Sequence, residues 1–455
     1  MSVTFSCADP ALQRLWDEAE RGCAGNLRDF GGETVLVEGG GYEKIWLETQ
    51  PMGGEMYAAH SLEAAINNSL LFMRHQRADG RLPGSIQCAG GRVEPQFNKL
   101  QGFCFARPAL NLYYLMGRDR LWLERLESCL RRFDEYLWRT REKNGVLRSY
   151  CAYDTGEDNA LRYGDAPGWW EAETPPEGYA VVPMESMDVT SYSYACRDAL
   201  ARISRIRGDG REAHWRERAE DVRRTLRARL WDEARGALFD RDRQGKTVDV
   251  LCHNTLRCMH WGSIDDDMAE RFLREHLMNP AEFFTPMPLP SAAVSDPAFR
   301  NNPGNDWSGQ PEGLTFQRAI AALENYGHAS LLPAFGQRLF RAIIGGGYRF
   351  TQQYDPFTGA PSPGPDRYGP TMLAAMAYIE HIWGVHLHMG EVWFTLGGGM
   401  AYQFERRWGG HVYRIESDGV NARACADGRE LCAGPCGARV VADEDGRLLR
   451  GAAGN

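Results

Sequence analysis

Residues 188–207 read DVTSYSYACRDALARISRIR, and after a four-residue break residues 212–231 read EAHWRERAEDVRRTLRARLW. Both segments space their apolar residues as a helix does, but they differ in character. The first is richer in apolar and small residues, with Tyr192, Tyr194, Ala195, Ala199 and Ile203. The second is studded with Arg and Glu around one stripe, Trp215, Ala219, Val222, Leu226 and Leu230. A helix of the first kind suits an interior, and one of the second kind lays a single face on a core. The pair therefore reads as an inner helix followed by an outer one.

The same contrast separates the segment at 55–76 from the more charged one at 119–142. Helices are expected over 11–27, 55–76, 103–117, 119–142, 188–207, 212–231, 253–262, 265–278, 313–327, 329–344 and 370–384, with breaks at Gly, Pro and Asn. Eleven is close to the twelve of a double ring, so the expected fold is all-α, an (α/α)6 barrel. After Gly390 the pattern changes to short strands, Val392 to Phe394, His411 to Ile415, Ala422 to Ala426 and Ala438 to Val441. They are separated by turns such as Asp418-Gly419, Asp427-Gly428 and Asp445-Gly446. The expected division is a catalytic barrel over 1–390 and a small C-terminal β appendage over 391–455, packed on the barrel.

The composition of the 455 residues, 43% hydrophobic and 25% charged, excludes disorder and collagen-like structure. A formal charge of −9 argues against nucleic acid as a partner, since binding it needs a basic surface. Met1 to Leu15 lacks a basic stretch followed by an apolar one, and no run approaches the roughly 18 apolar residues of a membrane span. A cytoplasmic protein without a membrane partner is expected. The twelve cysteines include no CxxC pair and read mostly as small buried hydrophobes. No metal is expected: His386 and His388 read as surface histidines without a carboxylate cluster, and no histidine follows Cys425, Cys432 and Cys436 at finger-like spacing. No cofactor is expected either, because the Gly-rich runs at 39–41, 345–347 and 397–399 lack the lysine or helix context of a phosphate-binding loop.

Three connections, 143–187, 279–312 and 345–369, are long and rich in Gly, Pro, Trp, Tyr, Asp and Asn. Long structured loops of this kind carry function, and all three are expected at one mouth of the barrel. The first contains Tyr153-Asp154-Thr155-Gly156-Glu157-Asp158-Asn159-Ala160-Leu161-Arg162. It resembles the loop of trehalases and family-63 glycoside hydrolases, including their mannosylglycerate-hydrolase-like group, that reads roughly Glu-Ser-Gly-Trp-Asp-Asn-Ser followed by Arg. Further stretches resemble that family in the same order. They are Gly41-Tyr42-Glu43-Lys44-Ile45-Trp46-Leu47-Glu48, Gln76-Arg77-Ala78-Asp79-Gly80, Leu230-Trp231-Asp232 through Asp240, and Asn305-Asp306-Trp307-Ser308-Gly309-Gln310-Pro311-Glu312.

The resemblance implies a glycosidase acting on a small, α-linked glycoside with inversion, and a small carbohydrate as its partner. Asp158 takes the place of the general acid. The departure is at Phe350-Thr351-Gln352-Gln353-Tyr354-Asp355-Pro356, which follows the family's Glu-x-Tyr-Asp-Pro except that the Glu, its general base, is Gln352. An amide orients water but does not take its proton. Glu312 is the expected replacement, reaching the cavity across from Asp158, with Glu48 and Glu55 next. Trp46, Trp169, Trp170, Trp307 and Tyr354 are candidate sugar-facing rings, while Arg162, Asp188 and Gln310 are candidates for binding hydroxyls or organising the site. The missing base leaves two other readings open: phosphorolysis, in which phosphate is its own nucleophile, and a carbohydrate-binding protein without turnover.

Overall fold

The computed structural model describes residues 1–452. Among them are twelve α-helices: α1 (Pro10–Ala24), α2 (Gln50–Met56), α3 (Leu62–Arg74), α4 (Ala106–Leu115), α5 (Arg120–Arg141), α6 (Met187–Arg207), α7 (Glu212–Leu230), α8 (Asn254–Trp261), α9 (Asp266–Phe272), α10 (Gly313–Asn325), α11 (Leu332–Gly345) and α12 (Gly369–Trp383). The even-numbered helices touch in sequence, and α12 closes on α2. They form a ring of six, backed by the odd-numbered helices.

Burial follows from the sequence contrast. Fifteen of the 21 residues of α6 are buried, against five of the 19 in α7, and those five are the expected stripe from Trp215 to Leu230. Local signals set the ends. The Ser186 side chain caps the start of α6, and Gly208 ends it in the left-handed conformation that glycine adopts freely. One expected helix, 55–76, is in fact two. Inner α2 begins earlier, with Pro51 in its first turn, and outer α3 restarts where Ser61 accepts a hydrogen bond from the Ala64 N–H. No Gly or Pro marks the break, since residues 57–61 read YAAHS.

The expectation of an all-α chain is corrected, because nineteen strands lie among the described residues. Nine of them belong to two antiparallel sheets at one flank. A five-stranded sheet orders Ser2–Cys7, Ala401–Trp408, His411–Asp418, Asn421–Ala426 and Arg429–Pro435. A four-stranded sheet orders Val385–His388, Glu391–Thr395, Arg439–Asp443 and Leu448–Ala452. The β unit is thus larger than the 391–455 segment expected, since Ser2–Cys7 and Val385–His388 join it from the other side of the division. It shares one continuous apolar core with the barrel, in which Phe5 sits 5.4 Å from Trp16 and 6.2 Å from Phe404 between ring centroids. No helix among the described residues is long and apolar enough to cross a membrane.

Phe5 ties the first strand, the first outer helix and the β unit together. Phe5→Ala is expected to cost about 3–5 kcal/mol of stability, as for other large buried aromatics cut to alanine, measured by urea unfolding.

Candidate active site

The segments leading into the inner helices converge on one end of the ring. They enclose a cavity of about 110 Å³. The long connections all reach it as expected: Tyr153 and Asp158 from the first, Asn305 and Trp307 from the second, Gln352 and Tyr368 from the third. Trp46, Glu48, Lys99 and Glu38 complete its polar and aromatic wall.

The loop that carries Asp158 is short of regular structure and is held by buried charge. The Asp154 carboxylate accepts from Arg141 Nη1 at 2.6 Å and from the backbone N–H groups of Tyr150 and Leu100 at 2.8 and 2.9 Å. Arg162, eight residues on, pairs with Glu157, Asp240 and Asp188. Arg257 pairs with Asp188 at 2.8 Å and Glu157 at 3.2 Å, and donates to the Thr155 carbonyl at 2.6 Å. Burial opposes the charge on Glu157, but Arg162 and Arg257 hold its carboxyl well below the usual range. Asp240, where burial prevails over Arg162, is pushed up to about 6.

Asp158 itself is partly exposed to the cavity. Asn305 Nδ2 donates to its Oδ2 at 2.9 Å, Gln352 Nε2 donates to Asn305 Oδ1 at 2.9 Å, and the Tyr42 hydroxyl donates to Gln352 Oε1 at 3.1 Å. Burial raises the proton affinity of Asp158, while Asn305 and the Lys99 ammonium pull it back. A carboxyl so placed can keep a proton for a leaving oxygen.

Of the residues expected at the site, Asp158, Trp46, Glu48, Trp307 and Gln352 line this cavity. Glu48 is anchored by Arg318, with Arg257 at 3.7 Å, and burial leaves it at about 7 despite those charges. The others fall elsewhere. Glu312 does not reach the cavity: it sits at the start of α10, wholly buried, with no hydrogen-bond partner for either oxygen among the described residues. Its proton affinity is pushed well up by burial and by the nearby Asp158 charge. Arg162 and Asp188 lie beneath the loop, in the ion network. Gln310 is turned away, donating to Asn301 Oδ1 at 2.8 Å and accepting from Ser362 at 3.0 Å. Tyr354 is buried with its hydroxyl on the Arg349 carbonyl at 2.7 Å, so its ring is a loop staple. Trp169 is exposed and outside the cavity, and the Trp170 indole is bonded to the Thr174 carbonyl.

Glu38, Lys99 and Tyr368 were not anticipated. The available signal was Glu38 followed by Gly39, Gly40 and Gly41, all three at positive φ (74°, 59° and 93°). A Cβ on Gly39 would stand 2.6 Å from the Arg367 carbonyl oxygen, so the run needs glycine to turn back against the start of α12.

A larger cavity of about 220 Å³ opens at the other end of the ring, between the C-terminal ends of the inner helices and the β unit. Glu55 belongs here, bonded to Asn111 and pushed up to about 7 by burial. His386 also lines it, buried rather than on the surface as expected, and stacks on His381 at 3.8 Å. These two and Glu324 converge as a candidate metal-ligand set. The guanidinium of Arg439 already faces it, bonded to Glu324 and 3.4 Å from His386 Nε2. What sets the smaller cavity apart, among the described residues, is that the three long connections meet there around Asp158 and the rings of Trp46, Tyr153 and Trp307.

Arg162→Met should leave Asp240 without a cation among the described residues and Glu157 and Asp188 with Arg257 alone, and lower stability by about 3–5 kcal/mol, read by denaturant titration. The raised Glu55 makes a separate prediction. A carboxyl that holds its proton more tightly when folded stabilises fully below its unfolded value and loses that contribution as pH rises toward 7. Between pH 4.5 and 7, Glu55→Gln should therefore show a flatter fall in melting temperature than the parent.

Residues 57–369 match the family described as mannosylglycerate hydrolase MGH1-like glycoside hydrolase domain. No curated protein matches the chain. Among solved structures, the GH63 mannosylglycerate hydrolase of Thermus thermophilus in complex with glucose is 19% identical. That likeness covers 80% of this chain and 99% of that one, with a TM-score of 0.64. The neutral trehalase of Saccharomyces cerevisiae is 12% identical over 80% of each chain, at a TM-score of 0.57. A structure described as a sialidase is 14% identical and aligns with 97% of this chain, which spans 41% of it, at a TM-score of 0.74. At such identities these likenesses concern the fold, whereas the family match covers most of the sequence. The chain belongs to the mannosylglycerate hydrolase MGH1-like glycoside hydrolase family and is a glycosidase.

Proposed function

We propose that the protein hydrolyses a small α-linked glycoside with inversion, and that Asp158 is the general acid. The observation that carries this reading is Asp158 itself, half-sheltered on the wall of a ring-lined cavity and inclined by burial to keep its proton. Protonating the leaving oxygen turns a poor alkoxide leaving group into a neutral alcohol. Trp46, Tyr153 and Trp307 offer flat apolar faces for the C–H side of a sugar.

Lys99 adds a constraint on the substrate. Its ammonium lies 5.1 Å from the centre of the Trp46 ring and 5.5 Å from that of Tyr153, and it makes no ion pair among the described residues. A carboxylate on the aglycone would supply one. The T. thermophilus mannosylglycerate hydrolase has been solved with Tris and D-glycerate bound, and an acidic aglycone of that size supports the same reading here.

The test is a panel of α-mannosides and α-glucosides, with neutral and carboxylate-bearing aglycones, assayed with and without inorganic phosphate. Phosphate-independent release of the sugar is expected, with the acidic aglycones preferred. Asp158→Asn should lower kcat by roughly 10²–10⁴-fold on natural leaving groups, and less on nitrophenyl ones that leave without help. Full activity of Asp158→Asn would falsify the acid assignment. Turnover only in phosphate would make the enzyme a phosphorylase, and binding without turnover in either variant would make it a sugar-binding protein.

A further inference from the structure

We propose that Glu38 is the general base, the group that takes a proton from the water attacking the sugar opposite Asp158. The inference rests on the hydrolytic reading above and supplies its missing half. Direct inversion needs two carboxyl groups, one on each side of the bond to be broken, with room for water between.

The structure narrows the choice. At the position where the family pattern has its base stands Gln352, whose amide is engaged on both sides by Tyr42 and Asn305. Glu312 is wholly buried and does not line the cavity. Glu48 lines the cavity but is tied to Arg318 beneath it. Besides Asp158, that leaves Glu38 as the carboxyl on the cavity wall free of any cation among the described residues.

Glu38 is held as a working group would be. Its carbonyl accepts from the Gly369 N–H at 2.7 Å, and Gly39 and Tyr42 exchange backbone hydrogen bonds at 3.0 and 3.1 Å. The turn is therefore stitched to the first residue of α12. The Tyr368 hydroxyl donates to Oε1 at 2.9 Å, and the Trp46 indole also stands beside the carboxyl and lowers its proton affinity. One oxygen is thus oriented, and the carboxyl lines the cavity where water would stand. Asp158 comes from the loop before α6, so the two carboxyls approach the cavity from separate elements.

Burial pushes Glu38 up to about 8, with Tyr368 pulling it back and the charges of Glu48 and Asp158 adding to the rise. A base of that strength accepts a proton from water more readily than an ordinary carboxylate. The Asp158 charge adds to the rise of Glu38, so Glu38 keeps its proton to higher pH, and the working form, with Glu38 ionised and the proton on Asp158, is the minor of the two singly protonated forms. In the reaction the water oxygen bonds to the anomeric carbon and gives one proton to Glu38. The bond to the glycosidic oxygen breaks with its electron pair going to that oxygen, which takes the proton of Asp158. Exchange with solvent returns both groups to their starting state.

The experiment compares wild type, Glu38→Gln, Glu38→Ala, Asp158→Asn and Glu312→Gln on a 4-nitrophenyl α-glycoside that the wild type turns over, with and without sodium azide. Glu38→Gln and Glu38→Ala should lose about 10²–10⁴-fold in kcat with melting temperatures near the parent's. Azide, which needs no base, should restore turnover to Glu38→Ala and yield the glycosyl azide of inverted configuration by NMR. A merely structural Glu38 would not respond to azide. The acid limb of the wild-type kcat/KM profile should lie above the ordinary carboxylate range. Activity of Glu38→Gln within about threefold of wild type overturns the proposal, given the 10²-fold minimum expected of a lost base, and so does azide rescue of Glu312→Gln in place of Glu38→Ala. Wild type without hydrolysis of any glycoside sinks the hydrolytic reading itself. Loss in Asp158→Asn with retention in Glu38→Gln sinks only the base.

Discussion

The ion network around Arg162 is the constraint on which the site depends. Four carboxylates, Glu48, Glu157, Asp188 and Asp240, meet three guanidiniums, Arg162, Arg257 and Arg318, inside the ring. Charges this deep are tolerated only when each is paired, because removing one partner leaves the other stranded away from water. The pairing therefore fixes where the chain must go. Arg162 and Glu157 bracket Asp158, so the loop cannot shift without breaking buried pairs. Asn254 reinforces it, donating to Asp188 at 2.8 Å and to Glu157 at 3.0 Å. A loop with little regular structure is thereby made as rigid as the helices it joins.

Above that network the balance reverses. Asp158, Glu38 and Glu312 are carboxyls without a guanidinium, and burial raises the proton affinity of each. Lys99 is the cation among them. The acids below are tied to guanidiniums and hold the architecture, while those above have none. A site for acid and base chemistry at neutral pH needs that division, since one fold must supply rigid charges and titrating ones within a few side chains of each other.

Much of the fold was legible in the residue pattern. The contrast between 188–207 and 212–231 distinguished inner from outer helices because a ring demands different surfaces from each. Pattern failed at residues 57–61, where the chain leaves α2 and begins α3 without Gly or Pro; the break is made by the cap on α3 and by packing. It failed too for Ser2–Cys7, a strand only because Ala401–Trp408, nearly 400 residues away, offers it an edge. In the site, the loop motif located Asp158, but the same reasoning sent Glu312 into the cavity and Glu55 to its vicinity. Both are on or beside inner helices, and their register about the helix axis cannot be read from spacing alone.

The amino-acid sequence alone determined the helical periodicity, the alternation of buried and half-buried helices, the position of the Asp158 loop and the presence of Gln352. Each of these is a local property, set by neighbours a few residues apart. Tertiary structure decided which carboxyls face water. Glu38 and Tyr368 are 330 residues apart and meet only because the last inner helix closes the ring against the glycine turn. Exposure, pairing and proton affinity arise from contacts of that range, and for that reason Glu38 emerged as a cavity carboxyl only with the fold.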